Sequence, residues 1–92
     1  MENIEKIKIT INTTIKQALK IISVGALQVA LVINKRGKLL GTLTDGDIRS
    51  GLLKGQNLNS SIKSIFFKKP TIAKKNDSKE KLLKIALSKR IH

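Results

Sequence analysis

The stretch from Val29 to Thr44 constrains the fold of this 92-residue chain more than any other. Its first part, Val29 to Ile33, is continuously apolar and rich in branched side chains, which is typical of a strand buried on both faces. Residues 34–37 (NKRG) follow and end in a glycine, where a short hairpin turn needs a positive φ angle. Leu39 to Thr44 then supplies the returning strand. The pattern therefore predicts an antiparallel hairpin.

An amphipathic segment precedes this hairpin. Its apolar residues share one helical face between residues 14 and 24. Thr14 and Gln17 have the spacing of a capping box, and Thr13 is the alternative N-cap. Before this helix, the isoleucines of residues 7–11 alternate with polar residues, a period of two that predicts a half-buried strand.

A second amphipathic segment follows the hairpin. Residues 45–47 (DGD) open it, Ile48, Leu52 and Leu53 are expected on its buried face, and Gly55 marks its end. The order strand, helix, strand, strand, helix predicts the fold class α/β, as a β-α-β-β-α unit with both helices on one face of the sheet. Such a unit leaves its other surface under-covered, so we expect it to pair with a second copy.

The chain after Gly55 has the pattern of a linker followed by the start of a second unit. Residues 56–61 (QNLNSS) are polar, and Ser61 can cap a short helix that carries apolar side chains. Further on, residues 76–78 (NDS) precede an amphipathic helix with the same apolar phase as the helix after residues 12–14 (NTT). This recurrence predicts one complete repeat at residues 1–57, and a linker with the truncated start of a second repeat at residues 58–92.

Composition limits the classes of protein to which this chain can belong. There is no cysteine, which excludes disulfides and thiolate metal sites. The charged N-terminus MENIEKIK and the shortness of the apolar runs predict neither a signal peptide nor a membrane span, and we expect a cytoplasmic protein. The net charge of +13 suits nucleic-acid binding, but the lysines are spread along the chain without interleaved stacking aromatics. A solvated cationic surface is the favoured interpretation, and nucleic-acid binding is the least favoured function.

The candidate functional residues lie at the start of the second helix. Thr44 and Asp47 have capping-box spacing, with Asp45 as an alternative N-cap, and acidic residues in a first turn stabilise a helix without any ligand. The same carboxylate could instead accept hydrogen bonds from the two vicinal hydroxyls of a ribose. Neither a metal site nor a Ser-His-Asp arrangement can be built, because the sole histidine, His92, ends the chain. Asp45 and Asp47 are paired carboxylates, but in a first helical turn such pairs are more often caps than an acid–base couple. The capping and ligand-binding interpretations both stay open.

The segment ALVINKRGKLLGTLTDGDIRSGLLKG resembles the core of a CBS domain. The family pattern is an apolar strand, a tight turn, a glycine, then Thr-x-x-Asp and an aliphatic residue, and Gly41, Thr44, Asp47 and Ile48 stand in those places. The resemblance covers residues 7–55. The segment TDGDIR is also similar to the CBS pair at the N-terminus of bacterial sugar-1-phosphate nucleotidyltransferases of surface-polysaccharide pathways. The CBS pair of arabinose-5-phosphate isomerases is the alternative.

This resemblance implies a regulatory module that binds AMP, ADP or ATP and modulates an attached or partner enzyme, with no cofactor and no catalysis of its own. It implies that Thr44, Asp47 and a hydroxyl before the first helix, Thr13 or Thr14, line the nucleotide cleft. Arg49 could add a cation to it. In the family, two units stack about a pseudo-twofold axis and form the clefts between them, so the expected partner is a second CBS unit in a homodimer. A structural dimerisation module without a ligand is the alternative function.

Overall fold

A computed structural model of the chain describes residues 4–24 and 28–68. These residues contain four strands and two α-helices in the order β1, α1, β2, β3, α2, β4, and the strands form one sheet in their order along the chain. The predicted fold class, α/β with a β-α-β-β-α unit, is confirmed. The bounds are β1 Lys8–Ile9, α1 Ile15–Val24, β2 Val29–Ile33, β3 Leu39–Thr44, α2 Asp45–Leu53 and β4 Phe67–Lys68, with short 3-10 helices at Ile4–Ile7 and Ile62–Ser64.

The hairpin of β2 and β3 forms as predicted. The two strands pair antiparallel from Val29 with Thr44 to Ile33 with Leu39, with an irregularity at the turn end. Gly37 has a φ of 80°, the positive value that the turn requires. The side chain of Asn34 fastens the turn, because its Oδ1 accepts hydrogen bonds from the backbone N–H groups of Arg36 at 2.8 Å and Lys38 at 3.0 Å.

The predicted strand at residues 7–11 is wrong in most of its length, since β1 comprises only Lys8 and Ile9. Ile7 belongs instead to the 3-10 helix Ile4–Ile7, in which Ile4 and Ile7 are both buried. Residues three apart lie on the same side of a 3-10 helix, so this spacing competes with the period of two and prevails. The short β1 still pairs parallel with β2, which makes β1, α1 and β2 a crossover unit.

Both helices pack on one face of the sheet, as predicted. α1 contributes Ile15, Ala18 and Ile22 to the core, and the sheet contributes the side chains that point toward the helices. The predicted buried face of α2 is wrong in part, because this helix buries Ile48 and Gly51 while Leu53 is 85% exposed and Leu52 is also exposed. Leu53 lies about 140° around the helix from Ile48, so it faces solvent. Leu52 lies about 40° from Ile48, at the edge of the buried side, and is 38% exposed.

The opposite face of the sheet is better covered than the sequence suggests. Val29 and Leu31 point to this face and are fully buried in the single chain, together with Ile4 and Ile7 of the first 3-10 helix. The expectation that β2 leaves an apolar surface open is therefore wrong. The short 3-10 helix supplies two covering side chains: Ile7, which the sequence pattern had assigned to a strand, and Ile4, which it had assigned to no element.

The segment after α2, interpreted from the sequence as a linker, packs against the unit that precedes it. The backbone N–H groups of Ile15 and Lys16 donate to the carbonyls of Ser60 and Leu58 at 2.9 and 3.0 Å, and that of Ile62 donates to Thr13 at 2.9 Å. Ile62 is fully buried in the same core as α1. The chain then pairs with β3 as β4. The remainder of the predicted second repeat lies outside the described residues.

The first residues of the predicted second repeat lie within the described part of the chain. Ser61 caps the 3-10 helix Ile62–Ser64 by accepting a hydrogen bond from the N–H of Lys63, as the sequence predicted for a short helix there. A two-residue strand follows this helix, in the same order as the 3-10 helix Ile4–Ile7 and β1. The division of the chain into two repeats remains a prediction.

Candidate functional site

Thr44 and Asp47 form a complete capping box at the start of α2. Thr44 has the extended conformation of an N-cap residue, with φ −116° and ψ 169°. Its hydroxyl accepts a hydrogen bond from the N–H of Asp47 at 3.4 Å, and Oδ2 of Asp47 accepts from the N–H and the hydroxyl of Thr44 at 2.9 and 3.0 Å. N-cap side chains of this kind contribute about 0.5–2 kcal/mol to stability. The capping interpretation is therefore confirmed, with Thr44 as the N-cap in place of the alternative, Asp45.

Capping uses only one of the two carboxylate oxygens of Asp47. Oδ2 carries both hydrogen bonds from Thr44, whereas Oδ1 has no hydrogen-bond partner among the described residues. The side chain is partly exposed at the N-terminus of a nine-residue helix, where unpaired backbone N–H groups favour a negatively charged ligand group. The local arrangement can therefore accept a hydrogen bond from a hydroxyl group and attract an anion without losing the cap.

Arg49 does not join this pair. Its guanidinium forms an ion pair with Asp45, four residues earlier on the exposed side of α2. Both side chains are more than half exposed, so solvent screens their attraction and the pair contributes little to stability. The sequence suggested that Arg49 adds a cation beside Thr44 and Asp47. Within the described residues, Arg49 has no hydrogen bond or ion pair with either of them.

Thr13 and Thr14 stand at the start of α1. Thr14 is the N-cap of a second capping box, in which its hydroxyl accepts from the N–H of Gln17 at 3.2 Å and Oε1 of Gln17 accepts from the N–H of Thr14 at 3.0 Å. The alternative cap, Thr13, instead accepts a hydrogen bond from the N–H of Thr10 at 3.2 Å. The spacing of Thr14 and Gln17 thus predicted the correct cap.

The two capped helix starts lie at opposite ends of the sheet. Ile9 pairs with Val32, so the chain leaves β1 toward α1 at the end of the sheet where β2 finishes. Thr44 pairs with Val29, so α2 begins at the end where β2 starts. The five residues of β2 separate these ends by roughly 15 Å. One unit therefore does not bring Thr13 or Thr14 to Thr44 and Asp47.

Thr42 is a candidate that sequence reasoning missed. It lies in β3 two residues before Thr44, and its side chain is buried with no hydrogen-bond partner for Oγ1 among residues 4–24 and 28–68. A signal was present in the sequence, because the two threonines interrupt an apolar strand at a spacing of two, which places them on one face of the sheet.

Two features are absent from the described residues. Between residues 4 and 68, outside the gap at 25–27, the structure holds no cluster of three or more side chains of the types that bind metals. Within the same residues, no helix has the length and hydropathy needed to cross a membrane.

The sequence of this chain matches a known protein family and two known proteins. Residues 3–54 match the family model of the CBS domain. Two uncharacterised proteins of Helicobacter pylori, from strains J99 and 26695, are 39% and 37% identical to this chain over 67 residues. The match covers 73% of the chain and 20% of each relative, so the chain spans about a fifth of the length of the curated relatives it matches.

Solved structures share the same fold. A CBS-domain containing protein from Agrobacterium tumefaciens superposes with a TM-score of 0.63 at 15% identity, covering 99% of this chain and 80% of that one. An uncharacterised conserved protein from Pyrococcus horikoshii gives 0.63 at 20% identity, covering 98% and 69%. A protein from Methanocaldococcus jannaschii, proposed to be an archaeal homologue of g-AMPK, gives 0.60 at 18% identity, covering 99% and 41%.

Proposed function

We propose that this chain, which belongs to the CBS domain family, binds an adenosine nucleotide of the AMP, ADP or ATP class and thereby regulates an enzyme. The observation that carries the proposal is Oδ1 of Asp47, an acceptor without a partner among the described residues at the N-terminus of α2. A CBS domain by itself is regulatory and not catalytic, so the regulated activity belongs to an attached or partner protein. Adenosine nucleotides are intracellular ligands, so the proposal places the chain in the cytoplasm.

The chemistry of the site suits a nucleotide in two respects. A ribose offers two vicinal hydroxyls, and a hydrogen bond from either one to a carboxylate is charge-assisted and therefore strong. The first turn of α2 directs backbone N–H groups outward, and these favour the phosphate of the same ligand. Thr44 holds Asp47 in place through its two hydrogen bonds, so Oδ1 is positioned before any ligand arrives.

A second CBS unit completes the cleft in this proposal. Thr13 and Thr14 lie at the opposite end of the sheet from Asp47, but a twofold axis perpendicular to the strands would bring the α1 start of one unit to the α2 start of the other. The partner is then the second repeat of a CBS pair or a second copy of this chain. Exposed leucines at the end of α2 and just after it offer apolar surface for such pairing: Leu52, Leu53 and Leu58.

The sequence around α2 suggests which enzyme the module regulates. The similarity of TDGDIR and GLLKG to CBS pairs of sugar-1-phosphate nucleotidyltransferases favours such an enzyme of surface-polysaccharide biosynthesis, with an arabinose-5-phosphate isomerase as the alternative.

A ligand-free dimerisation module is the second candidate function. The capping box favours it, because capping accounts for Thr44 and for one oxygen of Asp47 without any ligand. The two candidates differ in what a nucleotide does to the protein, and a thermal melt distinguishes them.

Asp47→Asn is expected to lose most of the stabilisation that AMP gives to the wild-type chain. At a ligand concentration about one hundred times Kd, binding stabilises the folded state by about 2.7 kcal/mol. For a chain of this size that raises Tm by about 10–20 °C. An amide keeps the shape of the side chain but lacks the charge, so the affinity for AMP should fall by about ten- to one-hundredfold. The rise in Tm that AMP causes should then shrink by half or more. Differential scanning fluorimetry with and without AMP measures both.

Asp45→Asn is the matched control, because Asp45 lies in the same turn and carries the same charge but points to solvent. Both variants lose an acidic group near the helix N-terminus, so each should cost about 0.3–1 kcal/mol without ligand. The control keeps the full AMP shift. No shift in the wild-type chain, or equal shifts in both variants, would contradict the nucleotide proposal and favour the dimerisation module.

A further inference from the structure

Thr42 has a buried hydroxyl that neither capping box uses. The residue is 3% exposed, and Oγ1 has no hydrogen-bond partner within the described parts of the chain. Native structures rarely retain a buried polar group without a partner, because the group has lost its hydrogen bonds to water and gained none in return. The absent partner of Thr42 therefore calls for an explanation.

The position of Thr42 relates it to the proposed nucleotide site. Side chains two apart on a strand share a face, so Thr42 lies on the same face of β3 as Thr44, about 6.6 Å further from the start of α2. Leu31 of β2 and Phe67 of β4 are its directly opposite partners, and their side chains lie on the same face. Thr42 thus lies between a leucine and a phenylalanine, two residues along β3 from the capping box.

Phe67 gives this position the features of a subsite for an aromatic group. The residue is 52% exposed and lies in the strand that forms one edge of the described sheet. Aromatic side chains bind nucleobases by stacking, whichever base is present. A hydroxyl group both donates and accepts hydrogen bonds, and the edges of a purine carry ring nitrogens that accept and, in adenine, an amino group that donates.

We infer that Thr42 is a specificity residue that hydrogen-bonds the polar edge of a purine base whose ribose lies at Asp47. The inference rests on the proposed nucleotide site and adds the part of the ligand that Asp47 does not contact. Because Thr42 is 3% exposed in the free chain, the base reaches its hydroxyl only after the side chains that cover it have moved. Binding then supplies a hydrogen bond that no described residue gives to the hydroxyl.

The test compares AMP with ribose 5-phosphate, which lacks the base, by isothermal titration of the full chain. Thr42→Val replaces the hydroxyl with a methyl group of nearly the same shape, and is expected to weaken AMP binding about tenfold while leaving ribose 5-phosphate unchanged. Thr42→Ser keeps the hydroxyl and should retain the preference for AMP. Unchanged AMP affinity in Thr42→Val, or equal weakening of both ligands, would overturn the inference.

The Tm of the ligand-free chain provides a second readout, because Thr42→Val is expected to weaken AMP binding but to stabilise the free protein. If the hydroxyl is unpaired, Thr42→Val removes a destabilising group and should raise Tm by about 4–8 °C. A fall in Tm would mean that the hydroxyl is bonded in the free protein, which contradicts the premise. Failure of the two proposals remains distinguishable. A wild-type chain that binds AMP no better than ribose 5-phosphate refutes only the base contact, whereas binding of neither ligand refutes the nucleotide site and this inference together.

Discussion

Replacing Ile62 with alanine is expected to lower the free energy of unfolding by about 2–5 kcal/mol. The side chain is fully buried in the core formed by α1, α2 and the sheet, although it follows the polar stretch that resembles a linker. Alanine leaves a cavity that the sheet and α1 cannot fill, because both are fixed by their own hydrogen bonds. The loss would be a large fraction of the 5–15 kcal/mol that stabilises a typical domain. Urea unfolding monitored by circular dichroism measures it.

Leu58→Ala is the control for this prediction. Leu58 lies in the same segment and its carbonyl accepts a hydrogen bond from the N–H of Lys16, but its side chain is 46% exposed. Truncation of this side chain should change stability by about 0.5 kcal/mol or less. If Ile62→Ala were as mild as Leu58→Ala, residues 58–68 would not be part of the folded unit.

Replacing Gly41 with alanine is expected to cost about 3 kcal/mol. Gly41 pairs with Val32 on one side and Lys68 on the other, so β4 passes directly alongside it. A Cβ at this position would collide with the carbonyl oxygen of Phe67 and lie 2.8 and 2.9 Å from ring carbons of Phe66. The backbone of β4 cannot give way as a flexible side chain can, so the added methyl group must displace the strand. Thermal or urea unfolding of the variant measures the loss.

Gly46→Ala is the matched control, with the same chemical change and the opposite expected sign. The nearest atom to a Cβ at Gly46 is Oγ1 of Thr44 at 3.8 Å, an ordinary van der Waals distance. Gly46 lies in the first turn of α2, where alanine is the better helix former, so the variant should gain up to about 1 kcal/mol. If the Gly41→Ala protein had the same Tm as the wild type, β4 would not lie against β3 as described.

Local interactions explain which parts of the fold the sequence predicts well. The hairpin turn at residues 34–37 and the capping boxes of Thr14 and Thr44 depend on residues no more than four apart, and all three form as expected. The end of α2 is similar, since Gly55 has a φ of 106° just beyond the helix. In these places the pattern of residue types and the structure follow from the same short-range hydrogen bonds.

Tertiary contacts explain the errors. Ile62 follows a polar stretch, and only its packing against α1 shows that it belongs to the core of the first unit. Ile7 fits a strand by alternation, yet it packs with Ile4 in a 3-10 helix. The distance between the two helix starts likewise depends on strand directions, which no local spacing reveals.

The candidate site was predictable only in part for the same reason. The spacing of Thr44 and Asp47 was enough to predict that they interact, and in the structure they are hydrogen-bonded to each other. Arg49 follows in sequence, but the rotation of the helix pairs it with Asp45 on the exposed side. Thr42 becomes informative only once its burial and the absence of a partner among the described residues are known.

Equilibrium titration of the wild-type chain with AMP and with its dideoxy analogue, which lacks both vicinal ribose hydroxyls, tests most directly whether Asp47 holds a nucleotide. If Oδ1 of Asp47 accepts a hydrogen bond from the ribose, the dideoxy analogue should bind at least about tenfold more weakly than AMP. In Asp47→Asn the difference between the two ligands should largely vanish, since the charged acceptor is gone. Equal affinity of the wild-type chain for both nucleotides, or no saturable binding of AMP, would contradict the account.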